Sequence, residues 1–82
     1  MMLVATIKIK DMADACRVSS IADTYAWDIH GVCGRYIIDL KSVLGVLSVG
    51  FGKTIDVYLH CHLPEVGEEL RHELEDLRVN GE

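Results

Sequence analysis

The sequence predicts an α+β fold, an open-faced β-sandwich in which a four-stranded antiparallel sheet carries three helices on one face. Apolar and polar residues alternate over residues 3–10 and 54–62, as they do in strands buried on one side. Between and after these stretches, apolar residues recur at helical spacing. The resulting order is β-α-β-β-α-β-α, and antiparallel strands with helices on one face leave the other sheet face in water.

The size and composition predict a single globular domain over residues 1–82. Half of the residues are hydrophobic and 26% are charged, a balance typical of folded rather than disordered chains. No apolar run approaches the ~20 residues that span a bilayer, and the first ten residues do not resemble a signal peptide. Three cysteines are an odd number without paired spacing, which favours reduced thiols and a cytoplasmic location.

The charge is uneven along the chain. Six acidic and six basic residues precede residue 65, whereas seven acidic residues and only Arg71 and Arg78 follow, so the last part accounts for the net charge of −5. No basic stripe suited to a phosphate backbone is present. We therefore expect no direct nucleic-acid binding, and an acidic last helix that faces solvent.

The first strand and helix follow from residues 3–26. In the strand, one face is predicted to be apolar, and it consists of Leu3, Ala5, Ile7 and Ile9. Asp11 is placed to cap a helix over residues 12–26, with Asp14 three residues later as a weak capping box. The helix buries an apolar stripe made of Ala15, Val18, Ala22 and Tyr25.

Two short strands, residues 28–33 and 35–39, form a plausible hairpin around Gly34. Ser42 then stands where a helix N-cap belongs, and Gly50 can supply the positive φ that ends a helix. The helix between them is unusually apolar for its length, and its apolar residues are Val43, Leu44, Val46 and Leu47. Part of it is therefore expected to face a partner.

The last strand and helix are predicted by residues 54–77. The buried strand face is Ile55, Val57, Leu59 and Cys61, and Pro64 suits the first turn of the following helix. The helix buries Val66, Leu70, Leu74 and Leu77. All three cysteines (Cys16, Cys33 and Cys61) fall on predicted buried faces, where a thiol behaves as a small hydrophobe.

Residues 39–50 resemble the regulatory-serine segment of HPr, the histidine-containing phosphocarrier of the bacterial sugar phosphotransferase system. The likeness is closest to the Gram-positive type, in which a serine after a lysine opens a short apolar helix ending in Ser-x-Gly. It extends without gaps back to Asp11 and, with a small deletion near Lys53, forward to the acidic last helix. Further residues in register are Tyr25, Asp28, Ile29 and Gly34. The element order also matches the family's open-faced sandwich.

The chain departs from this family at the site of chemistry. The family's phosphate-accepting histidine opens the first helix, where this sequence has Asp11, with Ala13 for the arginine and Asp14 for the proline that follow. Phosphotransfer needs a nitrogen nucleophile and a nearby positive group, and none of the four histidines lies near this point. The simple expectation is that Asp11 is only an N-cap; the alternative is an acyl phosphate on Asp11, opposed by the charge of Asp14.

The resemblance implies a role in carbon regulation without enzymatic activity or a cofactor. A dedicated HPr kinase/phosphorylase would modify Ser42, and the phosphoserine form would act with a transcription regulator or with phosphotransferase-system components. Val43, Leu44 and Leu47 match the family's apolar docking patch. Three alternatives stay open: an unmodified N-cap at Ser42, phosphoryl transfer through Asp11, and an interaction domain outside the sugar system. The oligomeric state is open as well.

Histidines on the open sheet face raise the question of a metal site. His60 and His62 share a strand face, and His30 could lie on a neighbouring strand, so the imidazoles could converge on Zn²⁺ or Ni²⁺. No carboxylate stands at a suitable spacing. Cys61 is not a ligand either, because it points to the other face of the sheet. We therefore predict solvated histidines and no metal.

Overall fold

Seven regular elements follow one another in the predicted order β-α-β-β-α-β-α in the computed structural model, which describes residues 1–79. Residues 80–82, the end of the predicted domain, lie outside the described part. The elements are β1 (Met2–Lys8), α1 (Met12–Asp23), β2 (Ile29–Cys33), β3 (Tyr36–Asp39), α2 (Val43–Leu47), β4 (Thr54–Leu59) and α3 (Pro64–Glu73), followed by a 3₁₀ turn (Glu75–Leu77). The predicted fold class is confirmed.

The sheet has the strand order β1-β4-β2-β3, and every neighbouring pair is antiparallel. The helices cover one face, and the core between them and the sheet is made of aliphatic side chains. The largest fully buried side chains include Ile7, Ile9, Ile29, Leu40, Ile55, Leu59, Leu70 and Leu74. Within residues 1–79 no polar or charged residue is buried, so apolar burial is what holds the layers together.

The first strand contains an irregularity that overturns one predicted face. The pairing of β1 with β4 shifts register between Leu3 and Ala5, as in a β-bulge. An extra residue in one strand reverses the side-chain alternation beyond it. Leu3 is therefore 56% exposed, although it was predicted to be buried, and Val4 is buried in its place.

Helix α1 is shorter than predicted. It ends at Asp23 rather than near residue 26, and the Thr24 hydroxyl donates to the Ile21 carbonyl at 2.7 Å. Its buried stripe is confirmed, but the predicted burial of Cys16 is wrong, because this thiol is exposed. Cys16 follows Ala15 by one residue and so is turned by about 100° around the helix axis, away from the core.

The remaining elements agree with the prediction apart from their ends. The hairpin between β2 and β3 turns through a two-residue loop that begins at Gly34, whose φ is +60°. Strand β4 ends at Leu59 rather than at residue 62, yet Cys61 stays buried, as Cys33 does. The stripe of the last helix is confirmed, with Val66 only half-buried. Within residues 1–79, each helix is too short or too polar to pass through a membrane.

Two glycines test how tightly the sheet is packed. A Cβ at Gly31 would lie 2.5 Å from Cγ2 of the fully buried Ile55, whereas one at Gly67 in α3 would lie 2.5 Å from the sulfur of Met2. Overpacking a rigid core costs about 1–3 kcal/mol. Gly31→Ala should therefore lower the free energy of unfolding by that amount in urea denaturation.

Gly67→Ala is the matched control for this change. The end of the Met2 side chain can move aside, and alanine is favoured over glycine in a helix by about 1 kcal/mol. This variant should be as stable as the parent or more so. Equal losses of stability in both variants would contradict the interpretation that β2 is pressed against rigid side chains.

Candidate functional site

The predicted helix start at Ser42 is confirmed. The Ser42 side-chain oxygen accepts a hydrogen bond from the backbone N–H of Gly45 at 3.2 Å, which caps α2. The helix ends at Leu47, and Gly50 adopts the expected positive φ of +80° two residues after the C-cap Ser48. Ser42 is half-buried.

The apolar residues of α2 divide between the core and the surface. Val46 is fully buried, and Val43 and Leu47 are half-buried against the core. Leu44 is 76% exposed. We call Val43, Leu44 and Leu47 the α2 surface. Its three residues lie in one helix beside Ser42, and Leu44 is its most exposed part.

Three hydrogen bonds fix the residue that precedes Ser42. The Ser19 hydroxyl donates to the Lys41 carbonyl at 2.9 Å, the Lys41 N–H donates to Asp39 Oδ1 at 2.9 Å, and Lys41 Nζ donates to the Tyr25 carbonyl at 2.6 Å. Two of these bonds are made by Ser19 in α1 and by Tyr25 just after α1, so they hold the backbone that leads into α2 against this part of the chain. Ser19 could not be predicted from the sequence, because its partner is 22 residues away and no local pattern marks it.

Tyr25 also connects the end of α1 to α3. Its hydroxyl donates a hydrogen bond to the Glu73 carboxylate. Burial raises the pKa of Tyr25 above its usual value, and the bond to Glu73 and the negative charge there raise it further. The same residue therefore binds Lys41 through its carbonyl and α3 through its hydroxyl.

Asp11 lies at a different helix start and is used as a cap. Its Oδ1 accepts from the N–H of Asp14 at 2.9 Å, which confirms the predicted N-cap. Asp14 reaches back to accept from the N–H of Lys10 at 3.0 Å and forms an ion pair with Lys10 Nζ at 3.3 Å. The backbone bond from Lys10 is the main reason that the pKa of Asp14 lies below its usual range. Asp14 is thus paired with Lys10, whereas Asp11 serves as the helix cap.

The histidines converge only in part. Nδ1 of His30 lies 2.6 Å from Nε2 of His60, and His30 stacks on Tyr58 with ring centroids 5.4 Å apart. Burial, followed by the proximity of His60, lowers the pKa of His30. His62 joins neither ring, and no group of three His, Cys, Asp or Glu side chains within residues 1–79 could hold a metal ion. The two imidazoles form a hydrogen-bonded pair at the Leu59 end of β4, whereas Asp11 follows β1 at the Thr54 end.

Comparison with solved structures shows the fold independently. The chain superposes on a histidine-containing phosphocarrier protein from a mycoplasma with a TM-score of 0.69 and 14% identity, covering 93% of this chain and 97% of that one. It superposes on HPr from Thermoanaerobacter tengcongensis with a TM-score of 0.73 and 20% identity, covering 93% and 92%. No protein-family model and no curated relative matches the sequence. The chain therefore has the HPr fold over nearly its whole length.

The raised pKa of Tyr25, caused first by burial and then by Glu73, makes the free energy of unfolding depend on pH in the alkaline range. Above about pH 10 the unfolded tyrosine loses its proton while the folded one keeps it, so the unfolding free energy falls as pH rises. Tyr25→Phe should remove this fall, which amounts to at most about 1.4 kcal/mol per pH unit. Urea denaturation from neutral to alkaline pH measures the difference, with the exposed Tyr36→Phe as control. Parallel pH profiles for the parent and Tyr25→Phe would contradict it.

Proposed function

We propose that this protein is an HPr-like regulator related to the bacterial sugar phosphotransferase system, which acts in the cytoplasm by docking to other proteins and not as an enzyme. The observation that supports this most is the α2 surface. In a domain with the HPr fold, an exposed Leu44 stands two residues after a capping serine whose surroundings match the family's regulatory segment. Burial of an exposed leucine side chain against a partner lowers the free energy of the complex.

Phosphate transfer through the start of α1 is not part of the proposed function. Asp11 uses its carboxylate to cap the helix, and Asp14 adds a second negative charge beside it. Lys10 is already paired with Asp14, and the next cation along α1, Arg17, pairs with Asp76 at 3.0 Å. The two carboxylates would repel an incoming phosphoryl group, and both nearby cations, Lys10 and Arg17, are already paired.

Ser42 is the proposed site of regulatory phosphorylation. A phosphate adds about −1.5 to −2 charge, and at a helix start that charge is favoured by the free N–H groups and by the helix dipole. The N–H of Gly45, which now donates to the serine oxygen, can donate to a phosphate oxygen instead. The modified helix start then offers an arginine-bearing partner a dianion next to the α2 surface.

The partners of this proposal follow from the family resemblance. They are an HPr kinase/phosphorylase that modifies Ser42, and a transcription regulator or phosphotransferase-system components that bind the α2 surface. A diverged interaction domain that has left the sugar system would use the same surface for a different partner.

Phosphorylation assays separate these possibilities. Incubation with HPr kinase and labelled ATP should label the protein, and Ser42→Ala should abolish the label while the exposed Ser48→Ala keeps it. Incubation with enzyme I and labelled phosphoenolpyruvate should leave the protein unlabelled. The readout is intact-protein mass spectrometry followed by peptide mapping.

Two outcomes would overturn parts of the proposal. Label from phosphoenolpyruvate that disappears in Asp11→Ala would establish an acyl phosphate and refute the loss of phosphotransfer. Failure of HPr kinase to modify a folded protein would remove the regulatory role of Ser42 and favour an interaction domain outside the sugar system.

Leu44 provides a separate test of docking. Because the side chain is 76% exposed, Leu44→Ala should change the free energy of unfolding by less than about 0.5 kcal/mol. If a partner buries this side chain, the variant should weaken the complex by about 1–2 kcal/mol in calorimetry. Leu63→Ala, at a 40% exposed leucine outside α2, is the control and should leave affinity unchanged. Unchanged affinity in Leu44→Ala would contradict docking through α2.

A further inference from the structure

An open groove lies at the end of the sheet where the β2–β3 hairpin meets the start of β4. It has a volume of about 890 Å³ and is bounded by the hairpin, by Ser48 and Val49 after α2, and by residues 52–54. Three positively charged side chains line it, and they come from three separate parts of the chain: Lys8 from β1, Arg35 from the hairpin loop and Lys53 from the loop before β4. No carboxylate is among the lining residues.

These three cations differ from the other five lysines and arginines of the chain. Lys10, Arg17 and Arg71 each form an ion pair at 3.0–3.3 Å. The Lys41 ammonium group donates to a backbone carbonyl, and Arg78 also takes part in an interaction. By contrast, the side chains of Lys8, Arg35 and Lys53 form no hydrogen bond or ion pair within residues 1–79. In a protein with a net charge of −5, the three cationic side chains without a hydrogen bond or ion pair within residues 1–79 thus line one cavity.

The other lining groups also suit an anion. The hydroxyls of Tyr36 and Thr54 have no partner within the described part of the chain, so both can donate to a ligand. The Ser48 hydroxyl already donates to the Gly45 carbonyl at 2.6 Å and can only accept. Two apolar residues that are 9% exposed, Cys33 and Val49, also line the groove. The groove therefore combines three cations and two free donors with an apolar surface, in a volume typical of small-molecule sites.

We propose that this groove binds a small phosphorylated molecule with at least two negative charges, held by Lys8, Arg35 and Lys53. Arginine presents a planar fork that matches phosphate oxygens, and the two lysines supply mobile point charges. Clustered like charges without counter-ions repel one another, and a multivalent anion relieves that repulsion. This site involves neither Ser42 nor Leu44, so it is independent of the proposed function.

A titration with sodium pyrophosphate tests the site directly. Two-dimensional ¹H–¹⁵N spectra of the ¹⁵N-labelled protein should show saturable shifts of the amides at residues 34–36 and 52–54. Inorganic phosphate should produce the same shifts with weaker affinity, because it carries less charge. Sodium chloride at equal ionic strength should produce none that saturate, since it only screens the field.

Variants assign the binding to the groove. Arg35→Ala and Lys53→Ala should each weaken pyrophosphate binding about fivefold, the effect of removing one exposed charge contact. Arg71→Ala is the matched control, because it changes the net charge equally but lies on α3 in an ion pair with Glu68. Arg35→Lys should recover part of the affinity. All three substituted residues are on the surface, so the parent and variant spectra should otherwise agree.

Three results would overturn the proposal. The first is shifts that stay linear and match those in sodium chloride. The second is an equal loss of affinity in Arg71→Ala and Arg35→Ala, which would mean that binding depends only on the net charge of the protein. The third is saturable binding that maps to the start of α1 or α2 instead of the groove. None of these results bears on whether Ser42 is phosphorylated.

Discussion

Strand β4 is the element on which the rest of the structure depends, because it is the strand that joins β1 to the β2–β3 hairpin. Its inward residues Ile55, Val57 and Leu59 are completely buried, and burial of each such side chain contributes about 1.5–3 kcal/mol. The pairing with β1 joins parts of the chain that are about fifty residues apart, as in the hydrogen bond between Thr6 and Asp56. The sheet is therefore complete only when the chain's early and late strands have met.

The two ends of β4 also place the chemically distinctive surfaces. Thr54 pairs with Lys8, which brings two groove residues together at one end. Leu59 pairs with Ile29 at the other end, where the imidazoles of His30 and His60 meet. Strand β3 ends at Asp39, which pairs with His30, and α2 ends at Leu47, one residue before Ser48 of the groove. The α2 surface and the groove are therefore adjacent in the chain but share no residue.

Much of the fold could be predicted from the sequence because its signals are local. The caps at Asp11 and Ser42 and the alternation along β4 depend only on neighbours in the chain. The exposure of Leu3 could not be predicted, because a bulge depends on how two distant strands pair. The contact of Ser19 with Lys41 and the gathering of the groove cations are likewise tertiary. The serine and the α2 surface were predictable as a segment, but what holds them in place was not.

The two helix starts differ in the charges that a phosphate group would meet there. At α1 the cap is itself a carboxylate, and the neighbouring Asp14 is held in its charged form by the Lys10 backbone. At α2 the cap is a neutral hydroxyl, no acidic residue lies in the first turn, and α1 and β3 hold the preceding backbone. A phosphate at Ser42 would add its charge to a fixed helix start without an adjacent carboxylate in that turn. The same charge at Asp11 would have to overcome Asp14, so the local electrostatics favour regulation at α2 over transfer at α1.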